Sequence, residues 1–336
     1  MAGDPNGTPP DTPADRVDPN TTSSPWAGIG SVFFDTAHTP AGVGNIGTGI
    51  PISSRAVLTA AHTFDDDRDG VLDRGPEFVR FVFNYGGDRT HILTPTFMST
   101  HYAFTGFGRP SVNDDLVIMH FAEDFPIGIP IYEPATELQP LGTTAVMVGY
   151  GATGSGTTAG YVGPDSTSFR IKRVGQNNID QHLVDDEGSG RFEVFKFDFD
   201  APDGTIGTMG GASLGNDIET LIGPGDSGGP SFVWDTDASD WRIYGVNSFF
   251  SEVGVNAAPV FGTQGGGLLV PTYVPWLDAV LNPVAGDADR NGAVDLRDLD
   301  VIVANWMQSG EFVHGDFDGD GVVDVNDLVL MEPNWA

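Results

Sequence analysis

Three residues in this sequence have the types and surroundings that nucleophilic catalysis requires. They are His62, which follows an apolar run, Asp115, which precedes one, and Ser227, which lies in a glycine-rich string. A serine hydroxyl is a weak nucleophile at neutral pH and needs a base within hydrogen-bond reach. Histidine can accept and return that proton, and a carboxylate fixes its tautomer and stabilises the imidazolium. The order His, Asp, Ser therefore predicts hydrolysis through an acyl-enzyme.

The glycines beside the serine add a second catalytic element. They allow the backbone N–H groups of Gly225 and Ser227 to converge on a developing oxyanion. One such donor is worth roughly 3–4 kcal/mol of transition-state stabilisation. Asp114 competes with Asp115 for the acidic role, and we favour Asp115 because it directly precedes the apolar strand. The histidine alone or the acid alone could have a structural role. The prediction of a catalytic triad therefore depends on the order of all three residues in the chain.

An acidic pattern occurs twice near the end of the chain, at residues 287–298 and 316–327. Oxygen-bearing side chains fall at loop positions 1, 3, 5, 9 and 12, glycine falls at position 6, and position 7 offers its backbone carbonyl, as in calcium loops. Two acidic surface turns are the alternative, but the matching register and the paired leucines and tryptophans that follow favour two Ca²⁺ sites. The predicted ligands are Asp287, Asp289, Asn291, Ala293, Asp295 and Asp298 in the first loop, and Asp316, Asp318, Asp320, Val322, Asp324 and Asp327 in the second.

A third acidic loop follows His62. It has acids at positions 1, 3, 5 and 9 and a glycine at position 6, whereas position 12 is Pro76 and the next acid comes one residue late. A third Ca²⁺ and a solvated acidic loop are both compatible with this pattern. The candidate ligands are Asp65, Asp67, Asp69, Val71, Asp73 and Glu77.

The elements that must position these residues are mostly short strands. Between Trp26 and Asn282, apolar and β-branched runs alternate with glycine and proline, and helical periodicity first appears at Tyr273–Leu281. This pattern predicts an antiparallel β fold large enough for two barrels. Residues 1–25 are rich in proline and aspartate, and this composition predicts a disordered leader or linker. We expect a β domain over 26–282, a linker over 283–285 and a small module over 286–336.

The composition limits the class of partner. The formal charge is −32, from 15 basic and 47 acidic residues, which argues against nucleic acid and anionic membranes as partners. The chain has no cysteine, so it contains no disulfide, thiol nucleophile or zinc-thiolate site. No apolar run reaches the ~18 residues of a membrane span. No signal peptide is visible after Met1, so export requires that one has already been removed.

The catalytic segments resemble the trypsin/chymotrypsin-like serine endopeptidases, particularly their bacterial members, over roughly residues 26–280. The motifs are Thr59–His62, Gly225–Pro230 and Gly245–Ser248. The resemblance implies two antiparallel six-stranded β-barrels, with His62 as general base, Asp115 as orienting acid and Ser227 as nucleophile. It also implies that the protein acts outside the cytosol.

Several residues depart from the pattern of that family. No Ile-Val-Gly-Gly-like start occurs near Trp26, so the family's activation by a new amino terminus is unsupported and Asp226 has no evident partner. The resemblance places the specificity pocket at Leu221, Ser248, Phe250 and Gly265. Leu221 stands where trypsin-type enzymes have an acid, and Phe250 where they have a glycine. We therefore expect a shallow pocket for small or medium apolar side chains.

The C-terminal repeat resembles a type I dockerin module over residues 286–336, because position 12 is aspartate and the loop-helix unit is duplicated. The resemblance implies two Ca²⁺ ions and a cohesin-like docking partner. The combined expectation is a secreted bacterial serine endopeptidase tethered to a calcium-dependent docking module. The alternative is a catalytically silent protease-like scaffold that acts as a calcium-dependent binding protein.

Overall fold

The computed structural model describes residues 1–34, 46–108, 112, 114–162, 170–185, 190–251, 260–310 and 312–335. The chain is mainly β and includes an antiparallel sheet curled into a half-barrel, which confirms the predicted fold class at that level. The chain forms two compact units. The first comprises residues 1–98 and 104–272, and the second comprises residues 99–103 and 273–336.

The first sheet has seven strands, in the order β5-β4-β1-β2-β3-β7-β6. Strands β1 to β7 are Gly30–Phe34, Ile46–Ser53, Ala56–Thr59, Val79–Phe83, His91–Leu93, Phe97–Thr100 and Val117–His120. Valine and phenylalanine dominate the inward face, as expected of residues that pack well on a pleated surface. This face forms a buried core that includes Val32, Phe34, Val57, Phe64, Phe81, Phe83, Val117 and Met119.

The second sheet has eight strands. Strands β8 to β17 are Glu133–Pro134, Thr144–Gly149, Thr153–Ser155, Thr158–Val162, Arg173–Asn178, Gln181–Val184, Phe192–Asp198, Pro230–Asp235, Asp240–Ser251 and Gln264–Leu269. Seven of them follow the order β12-β9-β15-β16-β17-β14-β13, β8 pairs in parallel with β16, and β10 and β11 form a separate hairpin. The sheets thus have seven and eight strands instead of six each, because short strands such as β5 and the two-residue β8 extend the main ladders.

Residues 1–25, predicted as a disordered leader or linker, make defined polar contacts with the rest of the first unit. The Arg16 guanidinium pairs with Asp11 at 2.7 Å and donates to the carbonyl oxygens of Asn216, Ile218 and Glu219. Lys172 pairs with Asp18 at 3.0 Å. The amino-acid composition could not predict that this segment is ordered, because ion pairs hold it to the rest of the first unit and no apolar run is needed.

The second unit contains most of helix α1 (Val270–Leu281), together with α2 (Leu296–Asn305) and α3 (Val325–Met331). Each of the last two helices begins with a capping box, Asp295 with Asp298 and Asp324 with Asp327. A small core joins them, formed by Val294, Ile302, Val323 and Met331. Among the described residues, no helix has the length and apolar character needed to cross a membrane.

Candidate active site

The imidazole of His62 lies between Asp115 and Ser227. His62 Nδ1 is 2.6 Å from Asp115 Oδ2, and His62 Nε2 is 2.9 Å from Ser227 Oγ. The backbone N–H of His62 donates to the other oxygen of Asp115 at 2.7 Å. Both contacts of the ring fall within hydrogen-bond distance, so a proton can pass from the serine to the histidine while the carboxylate fixes the tautomer.

Pairing of β3 with β7 brings the histidine and the acid together. The two strands pair antiparallel, with Thr59 opposite Val117. His62 lies in a 3-10 turn just after β3, and Asp115 lies two residues before β7, so both fall at the same end of this strand pair. Asp115 is fully buried, and it is the acid that contacts His62. The neighbouring Asp114, with a φ of 53°, has other contacts.

Ser227 lies in a tight turn that requires glycine. Gly225 and Gly228 have φ values of 95° and 80°, in the left-handed region that favours glycine. A Cβ atom at Gly228 would lie 1.9 Å from Thr59 Oγ1. Thr48 holds the turn from the other sheet, because its N–H donates to Ser227 O at 2.8 Å and its hydroxyl donates to Gly225 O at 2.9 Å.

Two backbone donors remain beside the serine hydroxyl. Within the described part of the chain, the N–H groups of Gly225 and Ser227 donate no hydrogen bond, whereas the next N–H group, that of Gly228, donates to Asn247 O at 2.8 Å. These are the two groups that the sequence assigns to an oxyanion hole. Donors left without an internal acceptor next to a nucleophile are chemically suited to an oxygen that becomes negative during acyl transfer.

Asp226, whose partner the sequence did not indicate, accepts hydrogen bonds from the protein backbone. Its carboxylate takes one from Gly151 N and one from Gly223 N, both at 2.8 Å. Burial raises the pKa of Asp226 above its usual value. These bonds tie the segment that precedes the nucleophile to the residues after β9, and they fix the path of the backbone into the turn.

Two residues contact the triad in ways that the sequence did not predict. Ser248 Oγ donates to Asp115 Oδ2 at 2.5 Å, so this serine, predicted as part of the pocket, contacts the acid. The ring of Phe107 packs on His62 with centroids 4.8 Å apart. The Gly245–Ser248 motif was the available signal for Ser248, and no sequence motif marks Phe107.

The remaining predicted pocket residues lie close together. Phe250 on β16 pairs with Gly265 on β17. Leu221 is almost completely buried, and a Cβ atom at Gly265 would lie 3.2 Å from its Cδ1. Tyr161, which the sequence did not single out, packs its ring on Phe250 with centroids 5.3 Å apart. Apolar and aromatic side chains therefore occupy this region.

Three acidic groups match the predicted calcium loops in part. In each group, carboxylate oxygens of three residues lie within 4.8 Å of one another; the groups are Asp65, Asp67 and Asp73, then Asp287, Asp289 and Asp298, then Asp316, Asp318 and Asp320. Asp295 and Asp324 are helix N-caps, and their side chains accept from the N–H groups of Arg297 and Asn326. Glu77 lies in the 3-10 turn Pro76–Phe78, outside the first group.

The two C-terminal loops share one hydrogen-bond pattern. The first aspartate of each accepts from the glycine N–H at position 6, Gly292 to Asp287 and Gly321 to Asp316. The aspartate at position 12 accepts from the N–H at position 3, Asp289 to Asp298 and Asp318 to Asp327. The predicted position 7 residues, Ala293 and Val322, each donate their N–H to the side chain at position 5.

Carboxylates crowd one another in the first of these loops. Burial raises the pKa of Asp287 to about 7, and the nearby Asp298 and Asp289 act in the same direction. Burial likewise raises the pKa of Asp289 to about 6. A bound cation would stabilise the charged forms that this crowding disfavours. The donors are hard oxygens, the ligand type that Ca²⁺ takes.

The sequence matches no protein-family model, and a search of curated proteins found no match. Functional conclusions therefore depend on the chemistry of the residues themselves. The first unit holds a histidine between a buried acid and a serine, beside two backbone donors that have no acceptor among the described residues. That arrangement is suited to acyl transfer.

Proposed function

We propose that the protein is a serine endopeptidase with His62, Asp115 and Ser227 as its catalytic triad. One observation carries the proposal: His62 Nδ1 lies 2.6 Å from Asp115 Oδ2 while His62 Nε2 lies 2.9 Å from Ser227 Oγ. The N–H groups of Gly225 and Ser227, which have no acceptor in the described part of the chain, support it, because a triad without an oxyanion hole lacks much of its catalytic power.

The proposed reaction begins when Ser227 Oγ attacks the substrate carbonyl carbon and His62 Nε2 takes the hydroxyl proton. The carbonyl oxygen becomes negative and accepts hydrogen bonds from Gly225 N–H and Ser227 N–H. The intermediate collapses, the C–N bond breaks, and His62 returns the proton to the leaving amine. Water then attacks the acyl-enzyme with His62 again as base, which releases the acid and restores the serine.

The proposal includes a two-barrel fold for the first unit. We assign the seven-stranded and the eight-stranded sheet to the two barrels of a trypsin/chymotrypsin-like fold. The triad is consistent with that assignment, because His62 and Asp115 flank strands of the first sheet and Ser227 precedes β15 of the second. In line with the resemblance, we further propose that the enzyme is bacterial and acts outside the cytosol.

For the second unit we propose a dockerin-like module that binds two Ca²⁺ ions. The ligand sets would be centred on Asp287, Asp289 and Asp298 and on Asp316, Asp318 and Asp320, which already lie close together. A cohesin-like protein is the proposed partner of this module. The Asp65, Asp67 and Asp73 group is the proposed site of a third ion in the first unit.

Hydrolysis of an unfolded protein substrate tests the catalytic proposal. Purified protein in calcium should degrade denatured casein, and Ser227→Ala should abolish this, because no other group replaces the attacking oxygen. Ser54→Ala is the matched control, since Ser54 is exposed and hydrogen-bonds Asp124 away from the triad. Equal hydrolysis by Ser227→Ala and the wild type would reject the proposal.

A silent scaffold that binds in a calcium-dependent manner is the second candidate. The observation that favours it is the filled pocket region: Leu221 is buried and Tyr161 packs its ring on Phe250 in the region that the resemblance assigns to the specificity pocket. Calcium-dependent binding to a partner, without hydrolysis by a correctly folded protein, would favour this candidate over the enzyme.

A further inference from the structure

Two aromatic rings lie where the proposed specificity pocket would receive a substrate side chain. Tyr161 comes from the β10–β11 hairpin and Phe250 from β16, and their rings meet edge to face at 68° with centroids 5.3 Å apart. The hydroxyl of Tyr161 donates to Ile222 O at 2.9 Å. The ring of Tyr161 packs on Phe250 and its hydroxyl makes a hydrogen bond, so these two contacts fix the position of the side chain.

Tyr161 also covers the segment that leads to the nucleophile. A Cβ atom at Gly223 would lie 2.7 Å from Tyr161 Cε1, so the ring packs directly on the backbone at that point. Gly223 precedes Ser227 by four positions. The ring therefore bridges the two walls of the proposed pocket, the 221–223 segment on one side and Phe250 on the other.

The base of the same region is filled by core side chains. A Cβ atom at Gly265 would lie 2.5 Å from Phe197 Cζ and 3.2 Å from Leu221 Cδ1. Phe197 and Leu221 both belong to the buried core of the second sheet. A substrate side chain entering here would meet Leu221 below and the two aromatic rings at the sides.

We propose that Tyr161 and Phe250 together restrict the residue on the acyl side of the cleaved bond to glycine, alanine or serine. The inference rests on the proposed function and narrows its substrate class. Tyr161 is the specificity-determining residue that the sequence does not indicate. The restriction follows from packing, because inserting a larger side chain into a filled site forces neighbouring groups to move. In a hydrophobic pocket a single methylene already changes kcat/KM by about 10- to 200-fold.

Two peptide substrates that differ only at that position, alanine in one and phenylalanine in the other, test the inference. For the wild type, kcat/KM should be at least about tenfold higher for the alanine peptide. Tyr161→Ala and Phe250→Gly should each shift the ratio toward phenylalanine by at least about tenfold, because each removes one of the two rings that fill the region. Tyr161→Phe keeps the ring and should leave the ratio nearly unchanged.

A second control lies on the same strand. Phe249 packs toward Gly266, and Phe249→Leu should not change the ratio. Labelling of Ser227 by a fluorophosphonate verifies that each variant is folded and active. If Tyr161→Ala does not fold, Tyr161→Leu gives the same test with a smaller loss of volume.

The outcomes separate the inference from the proposed function. Variants that label normally and keep the wild-type ratio overturn the inference, as does a wild type that labels and prefers phenylalanine. A folded wild type that neither labels nor cleaves either peptide overturns both. A shift in the ratio for Tyr161→Ala and Phe250→Gly, with the two controls unchanged, supports the inference.

Discussion

Ser248 places a third hydrogen bond on Asp115, beside the two that His62 makes to the same carboxylate. Asp115 is completely buried, so these donors replace the water that would otherwise solvate its charge. The three bonds restrain the carboxylate of Asp115 in the position that orients the histidine. Under the proposed mechanism, Ser248 is therefore a positioning residue for the triad.

Ser248→Ala should lower kcat for peptide hydrolysis by about tenfold, which corresponds to about 1.4 kcal/mol, with little change in KM. The reason is that one charge-assisted hydrogen bond to Asp115 is lost while the contacts of His62 remain. Steady-state kinetics on a short peptide measure the effect, and Ser54→Ala provides the control. An unchanged kcat, or a loss carried entirely by KM, would contradict this role for Ser248.

Much of the candidate site could be predicted at the residue scale. Glycines around Ser227 and apolar runs beside His62 and Asp115 mark these positions in the sequence, and their contacts match the predicted roles in geometry. The contacts of Ser248 and Tyr161 could not be predicted, because no sequence motif pairs either residue with its partner. Ser248 contacts a residue 133 positions earlier, and Tyr161 one 61 positions later. Only the folded sheets bring such pairs together.

The capped loop-helix unit is the main element of the second unit. Asp298 and Asp327 accept the N–H groups of their helix N-caps, and each also accepts an N–H group from the preceding acidic loop. One carboxylate thus joins a loop to a helix in both copies. The position 12 aspartates were predicted as metal ligands only, because a ligand pattern in sequence does not reveal that the same side chain begins a helix.

Calcium should raise the thermal stability of the second unit. A ligand that binds only the folded state at a hundred times its Kd contributes about 2.7 kcal/mol, so the unfolding midpoint should be higher in calcium than in EDTA. Asp287→Asn combined with Asp316→Asn should reduce this difference. Asp300→Asn is the control, because Asp300 is an exposed acid on α2 outside the ligand positions. Identical melting curves in calcium and in EDTA would reject calcium binding by these loops.

At the scale of the whole molecule, acidity and the amino-terminal segment both have structural explanations. The net charge of −32 is concentrated in part in three carboxylate groups whose members lie within 4.8 Å of one another. Each Ca²⁺ bound there would offset two of those charges. Residues 1–25 carry buried ion pairs, whereas their composition predicts disorder. Composition reports average polarity, so it could not reveal that Arg16 and Asp11 are buried together.

Arg16→Ala should destabilise the first unit by about 3 kcal/mol or more, because it leaves Asp11 buried without its partner. It also removes the donors to the carbonyls of Asn216, Ile218 and Glu219. Denaturant unfolding of the full chain measures the change. Arg55→Ala is the matched control: its ion pair with Asp124 is exposed, so little change is expected. Equal midpoints for the two variants would contradict the structural role of the amino-terminal segment.

Under the proposed function, Ser227 is a nucleophile activated by His62. Incubation of the full chain with a fluorophosphonate in calcium, followed by peptide mapping, tests it most directly, since the reagent bonds to an activated serine oxygen. We expect one adduct, located on Ser227, that is absent from His62→Ala and retained in Ser54→Ala. A folded wild-type protein that forms no adduct, or that carries the adduct on another serine, would contradict it.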